Sequence, residues 1–204
     1  MKPNIFFVTV DSLRADRCFG ENRSAKTPNL DSLIKKGIYF SQAISAADQT
    51  GASLSSVFSG IFPIRTGKNQ ITFKSDTTTY FGILKNSNYY TCTLVPDIAF
   101  FKEFTTNFDD KMIYAFENVK TRQNLGNDLG KKIIAKLKSK GMKEPWIYYI
   151  HLMDIHTPFS VPSEFDKQEN GETKYDRLVS LVDVWLGRFL NEINMENTII
   201  VVSA

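Results

Sequence analysis

One threonine, two histidines and a few carboxylates carry most of the chemistry this sequence offers. Asp11 directly follows IFFVTV (5–10), a continuous apolar, β-branched and aromatic run. A carboxylate delivered at the end of a buried strand is a hard oxygen ligand for a divalent cation; its structural alternative is a helix or turn cap. Thr50 stands in ISAADQTGASLSSVFSG (44–60), a stretch with small hydroxyl residues and neither histidine nor a basic residue. It precedes an expected helix, so its hydroxyl can cap the first turn. The same free N–H groups would stabilise an alkoxide forming on Thr50, or a phosphate or sulfate approaching it. A threonine hydroxyl is a weak nucleophile and needs a metal or a base to activate it. Nothing in the stretch supplies one, whereas Asp11 could bring a metal from a separate strand end. Ser53, one turn further on, either donates to the same anion or caps.

Both histidines fall in HLMDIHTPF (151–159). His151 sits on an apolar strand, where an imidazole is more often satisfied structurally. His156 lies beyond the strand, beside Pro158, placed to contact a ligand or to move a proton. Asp154 is open between loop ordering and function, and Arg14 with Asp16 reads as a local ion pair. One clear carboxylate and one or two imidazoles make only part of a metal site. GxGxxG, GxxxxGK[ST] and GxSxG are all absent, which argues against a dinucleotide site, a P-loop and a Ser-His-Asp hydrolase.

These residues need a scaffold, and the chain supplies one. Its 204 residues suffice for one substantial core, and 42% hydrophobic with 23% charged residues is a globular composition. The net charge of +3 is too small to dictate a polyanionic partner. The basic run GKKIIAKLKSKGMK (130–143) has helical spacing and reads as the solvated face of an amphipathic helix, so no nucleic-acid partner is expected. Cys18 and Cys92 form no CxxC and fit a reduced compartment. MKPNIFFVTVDS has too short an apolar run for a signal peptide, and no segment is long enough to span a membrane. The expected location is cytoplasmic.

Buried strands are expected at 5–10, 89–95, 145–153 and 197–204, with an extended segment at 38–44. Helices are expected over 27–37, capped by Thr27 and ended by Gly37, and over 52–60, 77–88, roughly 127–140 and 175–193. Residues 96–126 read as an irregular excursion over the sheet edge. The alternation predicts an α/β fold with a mainly parallel sheet, whose ligands bind beyond the strands' carboxyl ends. Asp11, Asp154 and His156 all fall at such ends.

In order along the chain, NIFFVTVDSLRAD, KTPNLDSLIKKGIYFSQA, TGASLSSVFSGIFPIRTG, FGILKNSNYYTCTLV, HLMDIHTPF and YDRLVSLVDVWLGRFLNEINMENTIIVVSA resemble successive stretches of the sulfatase family, within the alkaline phosphatase-like superfamily. The second stretch is close to TPNLDxLAxxGxxFxxA. The third lies where arylsulfatases carry CxPSRxSLLTGxxPxxxG. The resemblance implies an alkaline phosphatase-like three-layer sandwich over residues 1–204, incomplete at its C-terminal end. The family's second metal motif, usually DHG or DNG, would begin just after Ala204, so a chain of this extent is expected to be inactive.

By the same resemblance Asp11 is a metal ligand. Thr50 falls on the nucleophile position, at once catalytic and metal-bound. Ser53 matches the motif's serine at the substrate, and His156 matches the histidine that touches the transferred group or its leaving oxygen. Sulfatases convert a cysteine or serine at the nucleophile position to formylglycine, which threonine cannot form. A threonine there resembles the branches that transfer or hydrolyse phosphoesters, including phosphoglycerol and phosphoethanolamine transferases. Three positions depart from the family pattern: Ser12 replaces a second acid, Leu54 an arginine, and VPDIAF a Lys-Trp-His segment. The implied activity is a metal-dependent phosphodiester hydrolase or phosphotransferase with a Thr nucleophile. The implied cofactor is Ca, Mg, Mn or Zn, and the implied substrate a small phosphorylated or sulfated ester, glycan- or lipid-linked esters included. Sulfuric ester hydrolysis and a non-catalytic binding module are the competing readings.

Overall fold

The computed structural model describes residues 2–21, 23–62, 78–116 and 124–204. Pro63 onward in the third family-like stretch, Thr77 at the start of an expected helix, and 117–123 within 96–126 lie outside the described residues.

Five strands form one parallel sheet: β1 (Asn4–Val10), β2 (Tyr90–Pro96), β3 (Asp110–Tyr114), β4 (Trp146–Leu152) and β5 (Thr198–Ser203), in the order β3-β2-β4-β1-β5. The helices are α1 (Ala15–Cys18), α2 (Pro28–Lys36), α3 (Thr50–Ser59), α4 (Tyr80–Asn86), α5 (Ala99–Phe104), α6 (Leu129–Leu137) and α7 (Lys174–Leu190). No described helix is long and apolar enough to cross a membrane.

Successive strand side chains point to opposite faces, so parity assigns each residue to a layer. Phe6, Val8 and Val10 of β1 join Tyr148, Ile150 and Leu152 of β4 in a core with Leu30 of α2, Ile133 of α6, and Leu178, Leu186 and Phe189 of α7. Phe7, Ile147 and Tyr149 join Leu54 and Phe58 of α3, Phe81 of α4, and Phe100, Phe101 and Phe104 of α5. The result is the α/β fold with a parallel sheet that the alternation predicts, in the three layers that the family resemblance implies. Phe58 is the hub of the second core: its ring stacks on Phe104 at 4.3 Å and meets Phe81 and Tyr149 edge-on at 5.2 Å. Burying such a side chain stabilises the fold by about 2–3 kcal/mol, and each ring pair adds to that.

Several local expectations change. Residues 38–44 are exposed turns and irregular chain rather than extended strand, with Ile38, Phe40 and Ile44 largely in solvent. The segment 96–126 contains α5 and an edge strand, β3, whose alternately exposed residues hide it from a search for buried runs. β5 is half exposed instead of buried: among the described residues it pairs with β1 alone. Thr27 flanks α2 but does not cap it. The cap comes from α7, where Asp183 accepts from the backbone N–H groups of Asn29 (3.1 Å) and Leu30 (2.8 Å) and from Asn29 Nδ2 (2.9 Å). The contact requires Gly187, because a Cβ there would stand 2.5 Å from Asn29 Oδ1. In the basic run, Lys132 pairs with Asp128, Lys136 with Asp110 and Lys138 with Glu192.

Candidate active site

Register brings the first residues of the site together. β1 and β4 pair Thr9 with His151 and Val10 with Leu152. Asp11 follows immediately, and its backbone N–H still donates to Leu152 O at 2.9 Å. Thr9, Asp11, Tyr149 and His151 share the parity that faces α3, and Thr50 opens that helix.

Thr50 Oγ1 donates to Asp11 Oδ2 at 2.9 Å. Thr50 therefore lies inside the first turn of α3 rather than ahead of it; Gln49 takes the N-cap position without a side-chain cap bond. At the other end Gly60 stops α3 with φ 71°, a left-handed conformation that glycine adopts without penalty. Ser12 Oγ donates to Asp11 Oδ1 at 2.9 Å, and His151 Nε2 lies 3.3 Å from Asp11 Oδ2. Both carboxylate oxygens are thus engaged by side chains from three separate segments.

Burial opposes a charge on Asp11, yet the hydrogen bond and charge attraction of His151, with bonds from Ser12 and Thr50, outweigh it and bring the carboxyl down to about 2. Burial lowers His151 below the ordinary imidazole range against the pull of Asp11. Burial thus disfavours the charged form of the ring, while its hydrogen bond to Asp11 favours it.

Ser53 Oγ is 2.9 Å from Ser45 Oγ, with either atom able to donate. Asp11, Thr50, Ser53 and His151 line one cavity of about 1240 Å³, whose outer wall includes Ile38, Phe40, Ile44 and Ile61. His156 stands on the loop beyond β4, away from that cavity's wall. Its Nδ1 is 2.8 Å from Thr157 O, which places the proton on Nδ1 and the lone pair on Nε2 of the neutral ring. Asp154 orders the same region by accepting from Leu125 N at 2.8 Å, and Arg14 grips Asp16 at 2.7 and 2.9 Å. Leu54 is buried among the aromatic side chains of the second core.

Of the residues singled out from sequence, the structure therefore joins Asp11 and Thr50 directly, sets Ser53 on the same wall, and puts His156 on a neighbouring loop. His151, read from sequence as a structural histidine, joins Asp11. Its signal was parity: it shares a face with Tyr149 and pairs in register with Thr9, two residues before Asp11.

Asp11 and Thr50 offer a carboxylate and a hydroxyl, donors of the hard type that Mg²⁺, Ca²⁺ and Mn²⁺ take. The set fits one side of a divalent-cation site. Among the described residues no group of three His, Cys, Asp or Glu side chains gathers to complete it.

Comparison with known proteins identifies the family and the fold. Human (Homo sapiens) arylsulfatase H is 36% identical over 67 residues, 32% of this chain and 12% of its own length. The solved structure of Ps i-CgsB overlays 99% of this chain and 58% of that one at TM-score 0.80 and 20% identity. The lipoteichoic acid synthase LtaP from Listeria monocytogenes overlays 98% of this chain and 55% of that one at TM-score 0.68 and 19% identity. The chain thus spans little more than half of these solved relatives, which share its fold. The Sulfatase family model matches residues 3–204, from the start of β1 to the end of β5, and on that match the chain belongs to the sulfatase family.

Proposed function

We propose that the protein is a metal-dependent phosphoester hydrolase or phosphotransferase acting on phosphodiesters, with Thr50 as nucleophile. The observation that carries this reading is the bond from Thr50 Oγ1 to Asp11 Oδ2, which fixes a hydroxyl at the start of a helix against a buried anion. A carboxylate held at about 2 is too weak a base to deprotonate an alcohol. A divalent cation bound by Asp11 and Thr50 would supply the Lewis-acid charge that lowers the hydroxyl's pKa.

Thr50 loses its proton to solvent through the cavity, and Thr50 Oγ1 attacks phosphorus in line. The Oγ1–P bond forms as the bond to the leaving oxygen breaks, and that oxygen takes up a proton. The first-turn N–H groups of α3 and the Ser53 hydroxyl stabilise charge on the phosphoryl oxygens. His156 is the candidate residue to contact the transferred phosphoryl group or its leaving oxygen. Water or an acceptor alcohol then attacks the phosphothreonine, releases the phosphoryl group and restores the Thr50 hydroxyl.

A second reading, sulfuric ester hydrolysis, is favoured by the likeness to arylsulfatase H and by the family itself. Oxidising a threonine side chain at Cβ gives a ketone, not the aldehyde of formylglycine, so that chemistry would need a different nucleophile. The two readings share a cytoplasmic location and a small ester substrate as proposals. An assay of the whole protein on a panel of phosphodiesters and aryl sulfates, with and without added divalent metal, separates them. Phosphodiester turnover lost in Thr50→Ala supports the first reading. Unchanged turnover in that variant, or hydrolysis of sulfate esters alone, refutes it.

A further inference from the structure

We propose that His151 is the positioning residue of the Asp11–Thr50 pair, fixed by Tyr149 as the Nε2–H tautomer that donates to Asp11. This rests on the reading of Asp11 and Thr50 as the reactive pair.

A carboxylate only accepts, so the 3.3 Å approach of His151 Nε2 to Asp11 Oδ2 requires the hydrogen to be on Nε2. In the neutral ring Nδ1 then carries the lone pair. The Tyr149 hydroxyl, 3.1 Å from Nδ1, is the donor that satisfies it. The order of bonds is therefore Tyr149 O–H to His151 Nδ1, His151 Nε2–H to Asp11 Oδ2, and Thr50 O–H to the same Oδ2.

The imidazole is held against reorientation. It is 1% exposed, its ring centroid lies 4.7 Å from that of Phe101, and the Tyr114 hydroxyl donates to its backbone carbonyl at 2.9 Å. Although His151 lines the cavity, its 1% exposure points to a role in holding Asp11 rather than in contacting substrate. Its role follows from what changes at the carboxylate. Thr50 ceases to donate to Oδ2 once its hydroxyl proton leaves. His151 is then the remaining donor to that oxygen, while Ser12 holds Oδ1. The carboxylate keeps its orientation through the step that removes one of its two Oδ2 donors. Outer groups that orient a metal-binding side chain commonly change metal affinity by about 10–100-fold when removed.

Two measurements test this on the 204-residue chain. With only two histidines, ¹⁵N-histidine labelling and a long-range ¹H–¹⁵N correlation identify the tautomer, His156→Gln removing the second signal. His151 is expected with a protonated Nε2 and a bare Nδ1, and Tyr149→Phe is expected to shift the Nδ1 resonance. A protonated Nδ1 and bare Nε2 overturn the proposal whatever any variant does. The second measurement follows Mn²⁺ by paramagnetic broadening of the Thr50 methyl signal. His151→Leu is expected to weaken Mn²⁺ by about tenfold, while His151→Gln, whose Nε2 can still donate, stays close to the parent. Equal Mn²⁺ affinity for His151→Leu and the parent overturns the positioning role. Absence of broadening in the parent chain refutes the metal reading of Asp11 instead, and the tautomer then decides the proposal alone.

Discussion

Thr50 Oγ1 and Asp11 Oδ2 stand 2.9 Å apart although 39 residues separate them in sequence. The contact spans from the end of the interior strand β1 to the first turn of α3. It depends on the parity that turns Asp11 toward that helix. Because the bond ends on a charged, partly buried carboxylate, its loss costs more than an ordinary hydrogen bond, about 1.5–3 kcal/mol. Thr50→Val keeps the shape of the side chain and removes only the hydroxyl. The variant is expected to fold, with its unfolding free energy in urea lowered by about that amount, and in the whole protein to lose phosphodiester turnover. Thr50→Ser is expected to keep both the midpoint and measurable turnover. Turnover by Thr50→Val would exclude the hydroxyl as nucleophile.

Ser12 offers a second handle on the same carboxylate. It sits in the left-handed region at φ 63° and donates to Asp11 Oδ1. Aspartate tolerates that backbone conformation better than most residues. Ser12→Asp places a second acid where the sulfatase resemblance expects one. It replaces a donor to Asp11 by a like charge, so the metal-free variant should melt below the parent. A divalent cation between two carboxylates should gain affinity by about tenfold or more, 1.4 kcal/mol. Thermal melts with and without Mn²⁺ check both halves: the variant should be less stable alone and gain more from metal than the parent does.

How much of this was legible in the sequence depends on distance along the chain. β1, β2 and β4 are continuous apolar runs, and Asp11 at the end of the first could be read directly. The pairing of Asp11 with Thr50 could not, because it rests on which helix covers which face. His151 looked like part of an apolar strand, since a single polar residue at strand spacing gives no sign of its partner until the register with Thr9 is known. β3 was missed because DKMIY alternates and lies at an edge. β5 was read as buried from its apolar composition, which does not reveal that one of its edges lacks a pairing strand among the described residues. Thr27 has the composition of a cap, but the acceptor that serves α2 lies 153 and 154 residues away in Asp183.

That remote cap predicts a large effect far from the site. Asp183 is fully buried and accepts three bonds from Asn29 and Leu30. Asp183→Ala leaves two backbone N–H groups at the start of α2 without their acceptor, at about 1–3 kcal/mol for each unsatisfied group. Its urea midpoint should fall further than that of Thr27→Ala, whose hydroxyl makes no cap bond to α2. Hydrogen exchange at the amides of Asn29 and Leu30 should accelerate in the Asp183 variant alone. Equal losses in the two variants would show that the cap belongs to Thr27 after all.

The two cysteines give a pH-dependent prediction. Both are free and buried, and burial pushes each thiol up from 9.0 to about 12, with nearby carboxylates, chiefly Asp183, adding to the shift at Cys18. A rise of that size cuts the thiolate population at pH 8 by roughly a thousandfold, and the thiolate is the reactive form. Native protein at pH 8 should therefore react with an aromatic disulfide reagent far more slowly than protein in concentrated urea, where both thiols react at once. The linkage has a definite sign. Below pH 9 both states keep their thiol protons, and these groups leave stability unchanged. Between pH 9 and about 12 the unfolded chain loses protons that the folded chain retains, so stability must fall as pH rises through that window. Replacing both residues, Cys18→Ala with Cys92→Ala, removes this part of the slope. A urea midpoint measured from pH 8 to 11 should then decline less steeply than in the parent, while identical slopes would show that the thiols titrate alike in both states.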